Sequence, residues 1–206
     1  MTNAKIETLQ DRFVNGTLDT SVWDATTDRN GTAFLQTPAF SYGLVTCPGE
    51  SGGSVYSGIA SVGSYDLAES GLSVELFSVD PAASADFLVQ DSAGNSPNLW
   101  VNPTGPTLEF AVGPDSIVVA TVPYSAVDHR FLRICESGGT VYADTSPDGA
   151  EWANLGSVAT GALDASSVRV QFNVGDYPTS AVAAQWGNIG YVPVSSRLVD
   201  PGFTSR

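Results

Sequence analysis

Short runs of strand-forming residues recur along the chain, and this pattern constrains the fold more than any other feature. Clusters of Gly, Pro, Asn, Asp and Ser separate the runs. No stretch of ten or more residues has helical periodicity, and Leu67–Ser70 is long enough for one helical turn only. The pattern predicts an all-β fold, a two-sheet antiparallel jelly-roll sandwich. The predicted strands are Ala33–Gln36, Gly43–Cys47, Val55–Ala60, Leu72–Val79, Ala85–Gln90, Thr107–Val112, Ser116–Val122, Phe131–Glu136, Thr140–Thr145, Val168–Val174 and Ala184–Val192.

Alternation within single runs predicts which side chains face the core. In SVELFSV, Val74 and Leu76 fall on one face of a strand, while Glu75 and Phe77 fall on the other.

Hydrophobic residues make up 42% of the chain, which is enough for a real core, and only 15% of residues are charged. With 206 residues and no internal boundary, residues 1–192 are predicted to form one domain.

The charge balance excludes several partners. The formal net charge is −14, and such a surface repels phosphate backbones and anionic membranes. The first residues, MTNAKIETLQDRF, contain no apolar run, so no signal peptide is expected. No stretch approaches the length of a membrane span.

The C-terminal segment, residues 193–206, is polar, contains proline and lacks strand alternation. It is predicted to be an extended arm that packs on a neighbouring chain through Leu198, Val199 and Phe203. The alternative, a partly ordered terminus, stays open at this point.

A glycine-flanked serine, Ser51 in GESGG, resembles the nucleophile loop of serine hydrolases. Such an enzyme needs a histidine beside the serine, and the one histidine, His129, comes after Ser51, which is not the order found in chymotrypsin-type proteases. The α/β-hydrolase order allows this, but that fold needs a helix after the serine, whereas SVYSGIAS predicts a strand. The phrase also recurs, as ESGGSVY at 50–56 and ESGGTVY at 136–142. In the second copy two strand-like runs flank the glycines, which predicts a hairpin turn and a non-catalytic Ser51.

Metal and redox sites are not predicted. The segment Asp144–Gly149 resembles the start of a calcium loop, but the position that needs a bidentate glutamate is Leu155, so SPDG is interpreted as a β-turn. Cys47 and Cys135 show no disulfide or zinc spacing and are expected to be reduced or buried. No cofactor is expected. Glycosidases typically carry paired carboxylates, but no E-x-D-x-x-E pattern occurs.

The stretch from Asp11 to Ile189 resembles a concanavalin A-like (laminin G-like) jelly-roll domain of actinobacteriophage tail and virion proteins. The phrases that carry the resemblance are DRFVNGTLDTSVWD, YDLAES, YSAVDHRFLRICESGGTVYADTSPDGAEW and QWGNIGYV. The resemblance implies that Trp23 and Trp152 are core or inter-sheet anchors, and that Arg130 and Arg133 pair with sheet-face carboxylates. Catalytic members carry carboxylate motifs that are missing here, so it implies binding or assembly without hydrolysis.

Three functions follow as hypotheses. The first is a structural phage virion protein, a minor tail or tail-tip component that is not an enzyme. It would be located in the virion, with other tail proteins and further copies of itself as partners. The second is a non-catalytic carbohydrate-binding module for host cell-wall glycan, with Trp100, Tyr177 and Trp186 as candidate contacts. The third, a glycan hydrolase, remains only if the fold hides a noncanonical carboxylate pair.

Overall fold

The computed structural model describes residues 2–13, 16–41, 43–49, 57–102, 105–176 and 182–191. Within these ranges the regular structure is β-strand apart from a 3₁₀ turn at Ile6–Thr8. The strands are β1 (Ala4–Lys5), β2 (Trp23–Asp24), β3 (Ala39–Ser41), β4 (Leu44–Gly49), β5 (Ser57–Ser61), β6 (Tyr65–Asp66), β7 (Ser70–Val79), β8 (Ala83–Gln90), β9 (Pro97–Asn102), β10 (Thr107–Val112), β11 (Ile117–Pro123), β12 (Phe131–Ser137), β13 (Thr140–Ser146), β14 (Ala153–Ala159), β15 (Arg169–Asp176) and β16 (Val182–Tyr191).

Two antiparallel sheets of seven strands form the sandwich. Sheet A has the order β11-β10-β9-β8-β15-β5-β2, and sheet B has the order β14-β13-β12-β7-β16-β4-β3. β1 and β6 form a small parallel pair outside them. The predicted fold class, a two-sheet antiparallel jelly roll, is confirmed.

Large aromatic side chains fill the space between the sheets. The ring of Phe172 on β15 lies 5.1 Å from Phe87 and 5.7 Å from Trp23 in sheet A, and 5.6 Å from Trp186 in sheet B, measured between centroids. All four side chains are fully buried. Each such burial contributes on the order of 1.5–3 kcal/mol, so this aromatic cluster is a major cohesive contact between the two sheets.

Local predictions hold where alternation and turn chemistry are clear. Val74 and Leu76 face the core, while Phe77 on the opposite face is exposed. β12 and β13 form a hairpin whose turn places Gly138 and Gly139 at φ 59° and 78°, as a primed turn requires. The SPDG turn between β13 and β14 is also present, with Asp148 Oδ1 accepting from the backbone N–H of Ala150.

The structure differs from the sequence predictions at several segments. The sequence does not predict the longer strands β9 and β14 or the short strands β1, β2, β3 and β6, and Ala33–Gln36 is not a strand. The sequence of β9, PNLWVN, begins with proline and contains two asparagines that disfavour strands, but its pairing with β8 and β10 overrides that preference. Residues 33–36 instead bond back to their own loop, where the Phe34 N–H donates to the Thr26 carbonyl.

Polar pairs stabilise the outer face of sheet B. Arg130 pairs with Glu75 at 2.6 Å, and Arg133 pairs with Asp144 at 2.8 Å, which confirms the predicted arginine–carboxylate contacts. Trp23 is a core anchor as predicted. For Trp152 the prediction of a core or inter-sheet position is wrong, because its ring lies outside the sandwich over the Arg133 guanidinium.

Both cysteines, Cys47 and Cys135, are buried and unpaired with each other. Burial raises the pKa of Cys47 to about 12, although a hydrogen bond with Ser57 acts in the opposite direction.

No helix among the described residues is long and apolar enough to cross a membrane. The first SGG copy with Ser51, and the segment after residue 191 with the predicted arm boundary at 192, lie outside the described residues.

Candidate active site

The outward face of sheet A carries the polar groups of the candidate site. On β8, Ala85, Phe87 and Val89 point into the core, so the intervening residues point outward. Those outward residues are Ser84, Asp86, Leu88 and Gln90. Asp86 is therefore the single acid on the outward face of this central strand.

Strand register places Asp86 in a row with residues from the neighbouring strands. Asp86 is opposite Asn173 of β15 on one side and Trp100 of β9 on the other, and Trp100 is in turn opposite Glu109 of β10. We call this set, Gly58–Asn173–Asp86–Trp100–Glu109–Thr121, the Asp86 row. The two acids of the row, Asp86 and Glu109, thus lie two strands apart, and their backbones are about 10 Å from each other.

The carboxyl group of Asp86 is poised to hold a proton near neutral pH. Burial raises its pKa from 3.8 to about 7, while the positive charge of Arg29 acts in the opposite direction. No other described residue makes a hydrogen bond with this carboxyl group, although part of the side chain remains open to solvent. A protonated acid with an unused donor on an accessible face is able to give a proton to a ligand.

Trp100 forms an aromatic surface beside Asp86. Its indole N–H donates to the Ser84 hydroxyl on β8, which fixes the ring orientation, and the side chain is only partly buried. Next to it on the same face, the buried amide oxygen of Asn98 has no hydrogen-bond partner among the described residues. A buried, unpaired acceptor costs stability unless water or a ligand satisfies it. The face therefore presents an aromatic platform, with an unsatisfied buried acceptor beside it.

Glu109 is held in place from one side. Its Oε1 accepts hydrogen bonds from Thr107 Oγ1 at 2.9 Å and from Asn102 Nδ2 at 3.3 Å. Oε2 makes no hydrogen bond with another described residue. The arrangement fixes the carboxylate and leaves one oxygen for a water or substrate.

The loop that follows β2 closes one end of the face. Arg29 Nη1 donates to Gln171 Oε1 at 3.1 Å, and Arg29 Nε donates to Gln90 Oε1. Arg169 binds the Arg29 carbonyl oxygen through Nη1, which anchors the loop to β15. Gln90 lies four residues after Asp86 on β8, so this arginine-centred network bounds the outward face of sheet A on that side of the Asp86 row.

The residues predicted as glycan contacts are not brought together. Trp100 lies on the candidate face, and its role there stays a prediction. Trp186 is fully buried in the aromatic core, so its ring cannot stack on a sugar, and the prediction is wrong for this residue. Tyr177 and the predicted arm contacts Leu198, Val199 and Phe203 lie outside the described residues.

Asp86 and Glu109 were missed because each stands on its own strand. A search for two acids on one strand cannot find a pair that only sheet register aligns. The available signal was a lone aspartate in the otherwise uncharged strand ASADFLVQ. Among the described residues, no group of three or more His, Cys, Asp or Glu side chains is placed to hold a metal ion.

No family model and no curated protein matches this chain. Solved structures do match. A β-1,3-1,4-glucanase (lichenase) from a mouse hindgut metagenome shares 9% identity at a TM-score of 0.65, covering 90% of this chain and 98% of its own. The Bacillus licheniformis β-glucanase shares 9% identity at a TM-score of 0.65, and the match covers 89% of this chain and 96% of that chain. A glycoside hydrolase family 16 endo-glucanase from Bacteroides ovatus shares 11% identity at a TM-score of 0.59, and the match covers 87% of this chain and 98% of that chain.

These matches correct the functional prediction. The prediction of a structural phage virion protein without enzymatic activity is wrong, because these three solved structures, which share the fold over nearly their whole length, are glucanases. The phage context of the sequence resemblance finds no support in them. At such low identity the likeness shows the fold alone: the chain is a concanavalin A-like jelly-roll sandwich of the kind found in these glucanases.

Proposed function

We propose that this protein is a glycoside hydrolase that binds a polysaccharide across the Asp86 row, with Asp86 as general acid and Glu109 as general base. The observation that carries the proposal is the Asp86 carboxyl group on the outward face of sheet A, whose pKa burial raises to about 7 and to which no other described residue is hydrogen-bonded. Glycoside hydrolysis needs a carboxylic acid that keeps its proton near the working pH, and burial is the usual means.

The distance between the two acids favours one stereochemical course. Retaining enzymes hold their carboxyl groups about 5–5.5 Å apart, whereas inverting enzymes need roughly 6.5–9.5 Å to accommodate a water. Backbones about 10 Å apart, with Trp100 between them, fit the longer separation. Glu109 then takes a proton from the attacking water, and Asp86 gives its proton to the leaving glycosidic oxygen.

Substrate binding would use the groups beside the acids. The ring of Trp100 offers a flat apolar surface for one sugar, and Asn98 Oδ1 accepts a hydrogen bond from a sugar hydroxyl. The net charge of −14 disfavours polyanionic glycans, so a neutral polysaccharide is the expected substrate. Because a lichenase shares the fold, β-1,3-1,4-glucan is the first substrate to test.

The test measures new reducing ends released from β-1,3-1,4-glucan, with the anomeric configuration of the first product read by NMR. We expect inversion, and an activity that falls as the pH rises through about 7, because Asp86 then loses its proton. Asp86→Asn and Glu109→Gln should each lower kcat at least 100-fold while glucan binding persists. Trp100→Ala should mainly raise KM.

Gln185→Ala provides a control variant on the outer side of sheet B, where Gln185 bonds to Ser78 and Thr46. Its activity should equal that of the wild type. Glucan binding without any cleavage by the wild-type protein would refute the hydrolase, as would full activity of Asp86→Asn. A retained anomeric configuration would refute the assigned pair of acids.

A further inference from the structure

A cavity lies on the side of the molecule opposite the Asp86 row, against the outer side of sheet B. It has a volume of about 410 Å³ and is lined by Trp152, His129, Asp128, Glu151 and Thr145, among others. This volume falls within the range of about 300–1,000 Å³ that is usual for small-ligand sites. None of these residues belongs to the Asp86 row, so we name the cavity the Trp152 pocket and treat it separately.

The aromatic wall of the pocket is rigid. The guanidinium carbon of Arg133 lies 4.3 Å from the centroid of the Trp152 ring. Arg133 is itself fixed, because its Nε and Nη2 donate to Asp144 Oδ2 at 3.0 and 2.8 Å, and Asn154 Nδ2 donates to the other oxygen of that carboxylate at 3.1 Å. A ring clamped on one face loses little freedom when a ligand stacks on the rest of its surface.

The opposite wall provides a defined hydrogen-bond donor. The Ser125 backbone N–H donates to His129 Nδ1 at 3.1 Å, which assigns the ring proton to Nε2. Burial lowers the pKa of His129, although the charge of Asp128 acts in the opposite direction, and the net shift favours the neutral ring. Nε2 makes no hydrogen bond with any other described residue, and Ser125 Oγ donates to Asp128 rather than to the imidazole.

We infer that the Trp152 pocket is a second glycan-binding site, which takes one neutral hexopyranose unit. The apolar face of the sugar stacks on Trp152, a ring or hydroxyl oxygen accepts from His129 Nε2–H, and sugar hydroxyls donate to the carboxylates of Asp128 and Glu151. The acids around the pocket exclude anionic sugars. The site is independent of cleavage at Asp86 and would hold a polysaccharide to the side of the protein remote from that row.

The four tryptophans allow the two sites to be distinguished in one experiment. The indole ¹⁵N–¹H signals of the wild-type protein are followed by NMR during titration with methyl β-glucopyranoside, a single hexopyranose unit that contains no bond between two sugars. We expect the Trp152 signal to move and saturate, while the signals of the buried Trp23 and Trp186 stay fixed. The Trp100 signal reports on binding at the Asp86 row. A lack of binding at that row and a lack of binding at the Trp152 pocket are therefore seen as separate results.

Variants test the assigned contacts. Trp152→Ala should abolish the saturable response of the His129 ring signals, and its folding is checked by the unchanged positions of the Trp23 and Trp186 signals. Because Trp152 also covers Arg133, a second variant leaves that contact intact: His129→Ala should weaken binding, read at the Trp152 signal, about three- to tenfold. Val127→Ala, next to the pocket on an exposed position, should bind as the wild type does.

Two results would overturn the inference. One is a Trp152 signal that does not move while the sugar is present in large excess. The other is a response to methyl β-glucosaminide in its ammonium form but not to the neutral glucoside, which would make the pocket a site for cations.

Discussion

Replacing Asp86 with asparagine should make the protein more stable, and by an amount that depends on pH. Folding raises the pKa of Asp86 from 3.8 to about 7, so the folded state resists the ionisation that the unfolded chain undergoes freely. The wild type therefore keeps its full stability below pH 3.8 and loses part of it as the pH rises towards about 7. Asparagine is nearly isosteric and cannot ionise, so the variant avoids this loss.

The magnitude follows from the size of the shift. A rise of about three pKa units is worth about 4 kcal/mol of unfolding free energy once the pH exceeds 7, and less than about 1 kcal/mol at pH 4. For a chain of this size, about 4 kcal/mol corresponds to roughly 8–16 °C in Tm. Urea unfolding followed by tryptophan fluorescence at pH 4, 6 and 8 measures the difference between variant and wild type.

Asp24→Asn is the matched control, because folding lowers the pKa of Asp24 whereas it raises the pKa of Asp86. Partial burial acts to raise the pKa of Asp24, but hydrogen bonds from Thr26 and Thr27 outweigh it and lower the pKa to about 2. That stabilisation is present above pH 3.8 and is lost only as the pH falls through about 2, so Asp24→Asn should cost up to about 2 kcal/mol equally at pH 6 and 8. A gain from Asp86→Asn that is the same at pH 4 and pH 8 would refute the reasoning about Asp86.

Three further predictions concern the framework. Trp186→Ala should lower the unfolding free energy by about 3–5 kcal/mol in urea titrations, because it empties the centre of the aromatic core. Arg133→Met should cost about 3–5 kcal/mol because it removes the cation that balances the buried Asp144 charge, and adding Asp144→Leu should recover most of that loss in thermal unfolding. Gly139→Ala should cost about 1 kcal/mol by calorimetry, since φ is 78° at that position, and an unchanged Tm would contradict the turn assignment.

The fold class could be predicted from the sequence because period-two alternation and turn residues are local properties. SVELFSV shows its inward and outward faces without any knowledge of its neighbours, and Gly138-Gly139 between two strands specifies the hairpin by itself. β9 shows the limit of local signals. PNLWVN has weak strand preference, and only the two strands that flank it in sheet A make it a strand.

The candidate site was decided by tertiary structure. Asp86 and Glu109 are 23 positions apart in the chain, and only the register of β8, β9 and β10 aligns them across Trp100. The raised pKa of Asp86 likewise depends on its burial in the sheet, where β9 and β15 flank it, rather than on its neighbours in the sequence. Alternation along one strand determines which face a side chain occupies, whereas its neighbours on that face come from other strands, and hydrogen bonds between strands determine which of them meet.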